Sequence, residues 1–181
     1  MVGMALGRRR ERREERRYGE PVHYRMRQRL MSIGDDFWIE TGDGQRAYKV
    51  DGKALRLRKT LILEDPGGRE VARIQERLLH VKDAMEVEDA DGNRIAMIKK
   101  ALISPLRDRW SVQISGGPDL DVKGNIVEHE YTFTDGRTSV ATVSKKWFRI
   151  ADTYGVEIAP GQDPVPVLAA TVALDLMTHD H

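Results

Sequence analysis

The sequence predicts a β-rich α+β protein, in which an antiparallel β-barrel of about twelve strands encloses a central hydrophobic C-terminal α-helix. Three observations support this fold class. A turn–strand–loop–strand pattern repeats along the chain, the hydrophobic period is near two from about residue 24 to residue 158, and the final segment is apolar on every side. Strands with one apolar face need a partner, and so does a helix that is apolar all round.

The repeat is an Asp-x-large-x-Val template that occurs at Asp83–Val87, Asp108–Val112 and Asp152–Val156. Each copy follows, by about a dozen residues, an alanine in a strand-like run, and a turn sequence such as Asp65-Pro66-Gly67-Gly68 precedes each run. Repeated units of this kind indicate one repeating β architecture. We expect the three aspartates to bond local backbone amides where strands open, rather than to form a carboxylate triad.

Alternation and turn residues place further strands along the chain. Phe37–Glu40 and Ala47–Val50 flank the turn residues Gly42–Gly44, which predicts a hairpin. Ala54–Arg58 alternates leucine with arginine, as a half-buried strand does. Ser115–Pro118 is typical of a hairpin loop.

The C-terminal segment differs in kind from these strands. Asp163 is a predicted N-cap, Pro164 occupies the first helical position, and Val165–Met177 is apolar almost all round. Its length of about 20 Å at 1.5 Å per residue falls short of a bilayer core of roughly 30 Å. We therefore expect it to thread the barrel, with Asp175 at the barrel mouth against backbone amides or an arginine; a ligand-binding role is the alternative.

Composition limits the class of protein further. The chain has 181 residues, no cysteine and a formal net charge of +1. Residues 1–20 hold seven Arg and four Glu and are predicted to be a charged N-terminal tail, either solvated and mobile or a contact arm for acidic partners; residues 21–181 are predicted to be the barrel domain. With no secretory signal and no apolar run of about 18 residues, we expect a cytoplasmic protein without a transmembrane segment.

Five segments together resemble the LURP-one-related family, which belongs with the Tubby C-terminal domain and phospholipid scramblase superfamily. The segments are Tyr48–Gly52, Val122–Ile126, Val143–Phe148, Asp152–Ile158 and Leu168–Asp175. The resemblance covers about residues 24 to 180 and implies a twelve-stranded barrel around a central helix. It also implies lipid association, because Tubby domains bind phosphoinositides through basic side chains, but no phosphoinositide pocket can be aligned residue by residue.

Basic side chains are the candidate lipid- or anion-binding residues. They are Lys99, Lys100, Lys145, Lys146 and Arg149. Trp147 and Phe148 stand beside the second group, a combination that an interfacial membrane contact would use. The alternative is a solvated loop whose rings pack in the core. No nucleic-acid partner is expected, because aromatic stacking platforms need exposed rings and these rings mostly share the inward face.

Catalytic, metal and cofactor sites are not predicted. None of the five histidines pairs with another at a metal-ligand spacing on one element, and His179-Asp180-His181 is interpreted as an exposed chain end. Glu128 and Glu130 are expected on one face of a strand and His129 on the other, which works against convergence on a substrate.

These observations favour a non-enzymatic lipid- or membrane-surface-binding module, assisted by the arginine-rich tail and in peripheral contact with a membrane. The alternative is a scaffold or ligand-carrying domain that binds a protein or a small apolar molecule without membrane contact. A third, enzymatic hypothesis rests only on Glu128-His129-Glu130.

Overall fold

A computed structural model describes residues 19–27, 36–51, 60–77, 84–104, 107–149 and 152–179, without the side chains of 101–104, 107–108 and 179. The described residues form twelve strands and a C-terminal helix. Their bounds are β1 Val22–Arg27, β2 Phe37–Thr41, β3 Arg46–Asp51, β4 Thr60–Glu64, β5 Glu70–Glu76, β6 Ala84–Glu88, β7 Arg94–Ser104, β8 Arg107–Ile114, β9 Leu120–Asn125, β10 Glu130–Thr134, β11 Ser139–Ser144, β12 Thr153–Ile158 and α1 Pro164–His179.

The strands form one closed barrel in which each strand is antiparallel to its neighbours in the chain. Closure is made by β1 and β12, which pair from Val22↔Ile158 to Arg27↔Thr153. Closure matters because it leaves no strand edge open to another chain. The predicted barrel is therefore confirmed; the predicted strand at 54–58 and the charged tail up to residue 18 lie outside the described residues.

The repeated template corresponds to a repeated register. Its copies build the hairpins β5–β6, β7–β8 and β11–β12, and in each the template valine lies opposite an inward residue of the preceding strand. These pairs are Ile74↔Val87, Ile98↔Val112 and Val143↔Val156, and all six side chains are buried. Of the three template aspartates, Asp152 stands just before β12 with φ of 59°; Asp83 and the side chain of Asp108 lie outside the description.

Three aspartates that open hairpin turns cap them with their carboxylates. Asp65 accepts the backbone N–H groups of Gly67 and Arg69, and Asp135 accepts those of Arg137 and Thr138, at 2.7–3.0 Å. The third, Asp89, caps the β6–β7 turn in the same way. Backbone hydrogen bonds to the ionised form lower the pKa of all three carboxyl groups. The turn sequences therefore act as predicted.

Helix α1 fills the barrel. Asp163 accepts the N–H of Val165 at 3.0 Å, as an N-cap does. All ten residues from Val167 to Leu176 are buried, which confirms the predicted enclosure. The helix packs against β5, β6, β7 and β12, where the small inward side chains of Ala72 and Ala96 leave room for it. Within the described part of the chain, no helix combines the length and apolar character needed to span a bilayer.

The two ends of the barrel differ. The hairpin turns β2–β3, β4–β5, β6–β7, β8–β9 and β10–β11 lie at the end where α1 begins, which we name the near end, because successive connections of an antiparallel barrel alternate between its ends. The β9–β10 and β11–β12 connections lie at the opposite, far end, towards which α1 runs. Both candidate regions described below involve connections at the far end.

Candidate functional site

The connection that follows β11 places aromatic and basic residues together. We name Lys145–Arg149 the aromatic–basic loop. It opens with a turn in which the N–H of Phe148 donates to the carbonyl of Lys145 at 3.4 Å. The loop contains three of the five sequence-predicted site residues, together with Trp147.

Glu130 of β10 holds the start of this loop. Its carboxylate accepts the Ser144 hydroxyl at 3.0 Å and the backbone N–H of Lys145 at 3.1 Å. The N–H of Lys146 in turn donates to the Ser144 oxygen at 3.1 Å, and the Lys146 ammonium lies 3.6 Å from Glu130. These bonds fix the first two loop residues against the outer face of the barrel.

Gly155 of β12 provides the surface on which the rings lie. A Cβ added at this glycine would fall 2.6 Å from Cε3 of Trp147 and 2.8 Å from Cε2 of Phe148, so the rings occupy the space that a side chain would need. Gly155 faces outward, between the inward Tyr154 and Val156. The rings are therefore on the outer face, and the interpretation that they pack in the core is wrong; Trp147 is 41% exposed.

The charges of the loop are open to solvent to different degrees. Lys145 is half-buried, whereas Lys146 and Arg149 are exposed. In the described part of the chain neither Lys145 nor Arg149 forms an ion pair. His23 of β1 meets Trp147 edge-on, with ring centroids 6.0 Å apart, and its Nε2 lies 2.8 Å from Glu157. The arrangement presents one large amphipathic ring among cations.

The other predicted basic pair lies elsewhere. Lys99 and Lys100 are on β7, and three strands (β8, β9 and β10) separate β7 from β11. Because Ile98 faces inward, alternation directs Lys100 inward as well, and its Nζ lies 5.5 Å from the centroid of buried Trp110. The structure therefore does not bring the two basic groups into one patch.

A second polar group lies inside the barrel at the same end. The carboxylate of Asp175 accepts hydrogen bonds from the Tyr154 hydroxyl at 2.6 Å and from Nε2 of His129 at 2.9 Å. The rings of His129 and Tyr154 stack with centroids 4.2 Å apart. We name His129, Tyr154 and Asp175 the interior cluster. The side chain of Asp175 is 1% exposed, so it is closed off rather than open at a barrel mouth, and its two partners described above are a histidine and a tyrosine.

The position of His129 corrects a second expectation. Residues 126–129 form a turn, not a strand, and β10 begins at Glu130. His129 has φ of 52°, and its fully buried ring points into the barrel, while Glu128 is exposed and Glu130 clamps the outer loop. The three side chains of the enzymatic hypothesis therefore face three different environments.

The interior cluster encloses one carboxylate completely. Burial raises the pKa of Tyr154 well above its ordinary value, and the charge of Asp175 and the neighbouring Tyr131 raise it further. Burial and Asp175 also raise the pKa of Tyr131. Both tyrosines therefore stay protonated, and Tyr154 donates its hydroxyl proton to Asp175. Among the described residues, no three His, Asp or Glu side chains are grouped as a metal ion would require.

A closed barrel of twelve antiparallel strands with an apolar helix along its axis defines the class of protein. The family model described as LURP-one-related matches residues 22–175, and the chain belongs to this family.

Two further proteins are similar to this chain, one in sequence and one in fold. Uncharacterized protein YxjI of Bacillus subtilis (strain 168) is 26% identical over 155 residues, which cover 86% of this chain and 93% of that protein. A protein of Arabidopsis thaliana with an X-ray structure shares the fold, with a TM-score of 0.66 and 19% identity over 90% of this chain and 96% of that one.

Proposed function

We propose that this protein is a non-enzymatic, cytoplasmic lipid- or membrane-surface-binding module, and that the aromatic–basic loop makes the contact. The observation that carries the proposal is the position of Trp147, which is seated on the outer face of the barrel and 41% exposed among Lys145, Lys146 and Arg149. Tryptophan prefers the membrane–water interface, where its apolar body and its N–H are both satisfied.

Charge supports the same partner. A lysine or arginine near an anionic membrane surface contributes about 1 kcal/mol to binding, and the loop supplies three such residues, of which Lys146 also meets Glu130. The tail adds seven arginines against four glutamates in residues 1–20. The resemblance to lipid-binding Tubby-like domains is a further support, without a shared pocket.

The interior favours a surface function over the carriage of an apolar ligand. The ten buried residues Val167–Leu176 of α1 occupy the barrel lumen, so the space that would hold such a ligand is filled by the chain itself. The sealed position of His129 supports the non-enzymatic part of the proposal, because a general base must reach its substrate.

Vesicle flotation tests the proposal. The full chain should float with vesicles of zwitterionic lipid plus about 30 mol% anionic lipid at low ionic strength, and this binding should weaken at about 0.5 M salt because surface charges are then screened. Trp147→Ser should reduce flotation at either salt concentration. Val22→Ser is the matched control, since Val22 is 46% exposed and strand alternation directs it to the opposite face of β1 from His23, which contacts Trp147.

Two results would contradict the proposal. One is an absence of flotation with every anionic vesicle at low salt. The other is equal flotation of Trp147→Ser and the parent chain, with circular dichroism showing that both are folded. Capture of a protein partner that depends on Trp147, without any vesicle binding, would favour the scaffold alternative.

A further inference from the structure

We infer that the aromatic–basic loop recognises the charge of an anionic bilayer surface and not the chemistry of one lipid headgroup. The inference rests on the proposed function and specifies its partner: an extended interface of anionic lipids, in which phosphatidylserine and phosphoinositides are interchangeable at equal surface charge.

The cations of the loop are not arranged as a headgroup pocket. Selective binding of a phosphate group needs donors that converge to within about 3 Å of its oxygens, and these donors must be protected from water if they are to discriminate between ligands. Here Lys145 is only half-buried, Arg149 is exposed, and the Lys146 side chain is 81% exposed with its ammonium turned towards Glu130. Among the residues that the structure describes, none encloses these three cations.

The second basic pair cannot complete such a pocket. Four strand-to-strand steps separate β7 from β11 around the barrel, which is roughly 19 Å of wall at about 4.8 Å per step. The ammonium of Lys100 is also directed towards the ring of buried Trp110. One headgroup phosphate therefore cannot contact both basic groups.

The aromatic part of the loop is built for shallow contact with an interface. Phe148 is half-buried against Gly155, and Trp147 lies beside it with 41% of its surface open. Because Gly155 and Glu130 hold the loop in place before it meets a membrane, binding costs little conformational entropy. A rigid ring at the depth of the headgroups is stabilised by the membrane–water interface as a whole. It does not provide a set of hydrogen-bond donors that would select one headgroup.

The experiment compares vesicles of equal surface charge. The full chain is titrated with vesicles that contain phosphatidylserine and with vesicles that contain phosphatidylinositol bisphosphate, each adjusted to the same zeta potential. We expect partition coefficients that agree within about threefold and rise steeply with charge density, since each cation contributes roughly fivefold. Soluble inositol hexakisphosphate or inorganic phosphate, added at constant ionic strength, should not release the bound chain.

Matched charge variants locate the effect. Lys145→Gln with Arg149→Gln should weaken binding to both vesicle types by the same factor, roughly 25-fold, which is about fivefold for each cation removed. Arg94→Gln with Arg137→Gln is the control. These two exposed arginines lie at the near end of the barrel, and their replacement removes the same amount of charge. The control should change either affinity by less than about twofold.

The possible results separate the inference from the proposed function. A preference of more than tenfold for one headgroup at equal charge, or release by a soluble inositol phosphate, overturns the inference and leaves membrane binding intact. An equal loss of vesicle affinity in the control and in the loop variant also overturns the inference, because the loop would then not be the site that responds to the surface charge. Failure to bind any vesicle overturns the proposed function and the inference together.

Discussion

Neighbouring residues of β12 serve two different regions of this protein. Tyr154 points into the barrel and donates to Asp175 in the interior cluster. Gly155 points outward, and its bare backbone seats Trp147 and Phe148 of the aromatic–basic loop. A single peptide bond therefore separates a closed polar network from an open aromatic surface, because successive residues of a strand face opposite sides of the sheet.

Substitutions in the two regions should affect different properties of the protein. In the interior cluster every side chain is buried, so a lost partner leaves a polar group without water and the cost falls on folding. In the aromatic–basic loop the side chains are partly or largely exposed, so a lost side chain costs little folding energy. Stability and surface binding should therefore be separable by mutation.

The largest effect is expected in the helix. Leu174→Asp places a second carboxylate in the fully buried part of α1 and removes a core side chain, which should cost at least about 4 kcal/mol of unfolding free energy. The measurement is urea denaturation followed by circular dichroism. Arg149→Asp, the same new carboxylate on the exposed loop, should change stability by less than about 0.5 kcal/mol. A cost below about 2 kcal/mol for Leu174→Asp would contradict full enclosure.

Asp175→Ala should have the next largest effect. It removes the acceptor of both His129 and Tyr154, which stay buried, so we expect a loss of about 3–5 kcal/mol of unfolding free energy. The comparison variant is Asp163→Ala, which removes the N-cap of the same helix in an exposed position and should cost about 1 kcal/mol. Equal costs for the two carboxylates would show that the interior cluster does not stabilise the barrel.

The tyrosines of the interior predict a loss of stability at high pH. The pKa values of Tyr131 and Tyr154 are raised in the folded state by burial and by Asp175, so above about pH 10 the unfolded chain releases protons that the folded chain keeps. Their contribution is intact below that pH and declines by about 1.4 kcal/mol per pH unit for each tyrosine. Urea midpoints measured from about pH 8 to about pH 11 report the slope.

Tyr154→Phe isolates one of these groups. The variant lacks the hydroxyl that donates to Asp175, so the alkaline decline should be shallower by the equivalent of one proton. Lysines that titrate in the same range cancel in the comparison with the parent chain. Parallel slopes for the two proteins would mean that Tyr154 ionises as readily when folded as when unfolded.

Much of the interior could be predicted from the sequence. The aromatic rings are predicted mostly to share the inward face, as Trp110 and Tyr154 do, and α1 is predicted to lie in the lumen because it has no polar side, which is confirmed. The physical reason is that the spacing of apolar residues along a strand or helix determines which face is buried, whatever the geometry of the loops. The partners of Asp175 were harder to predict, since they come from β12 and from a turn.

The error at His129 has a visible cause. Residues 127–131 alternate and were assigned to a strand, whereas Gly124 and Asn125 form the kind of pair that ends one. Gly124 has φ of 125°, and Asn125 accepts the N–H of Glu128 through its side chain. Weighting these two turn residues above the alternation would have placed His129 in a turn at the end of the barrel.

The outward position of Trp147 could not be obtained from periodicity, because a five-residue loop has no period. The available signal was Gly155, which occupies a free position of the template between two inward residues. A glycine inside a strand indicates a close approach by another group. That group is the pair of rings, and sequence spacing alone does not identify it.

Gly155→Ala is expected to affect stability less than the interior substitutions do, and it gives the sharpest separation of the two regions. The new Cβ would lie 2.6 and 2.8 Å from the rings of Trp147 and Phe148. The loop must move away, and because it is partly exposed the folding cost should stay below about 1 kcal/mol. Anionic-vesicle binding should nevertheless fall towards the level of Trp147→Ala, since the ring is no longer held at its seat.

A double-mutant cycle measured by vesicle binding decides whether Gly155 acts through the ring. If it does, Gly155→Ala should add nothing to a chain that already carries Trp147→Ala, and the coupling energy should equal most of the single-mutant effect. Additive losses would mean that Gly155 affects binding by another route, for example through the β1–β12 pairing at Arg25. The unfolding free energy of the same four proteins supplies the control, because the interior cluster one residue away should be unchanged in all of them.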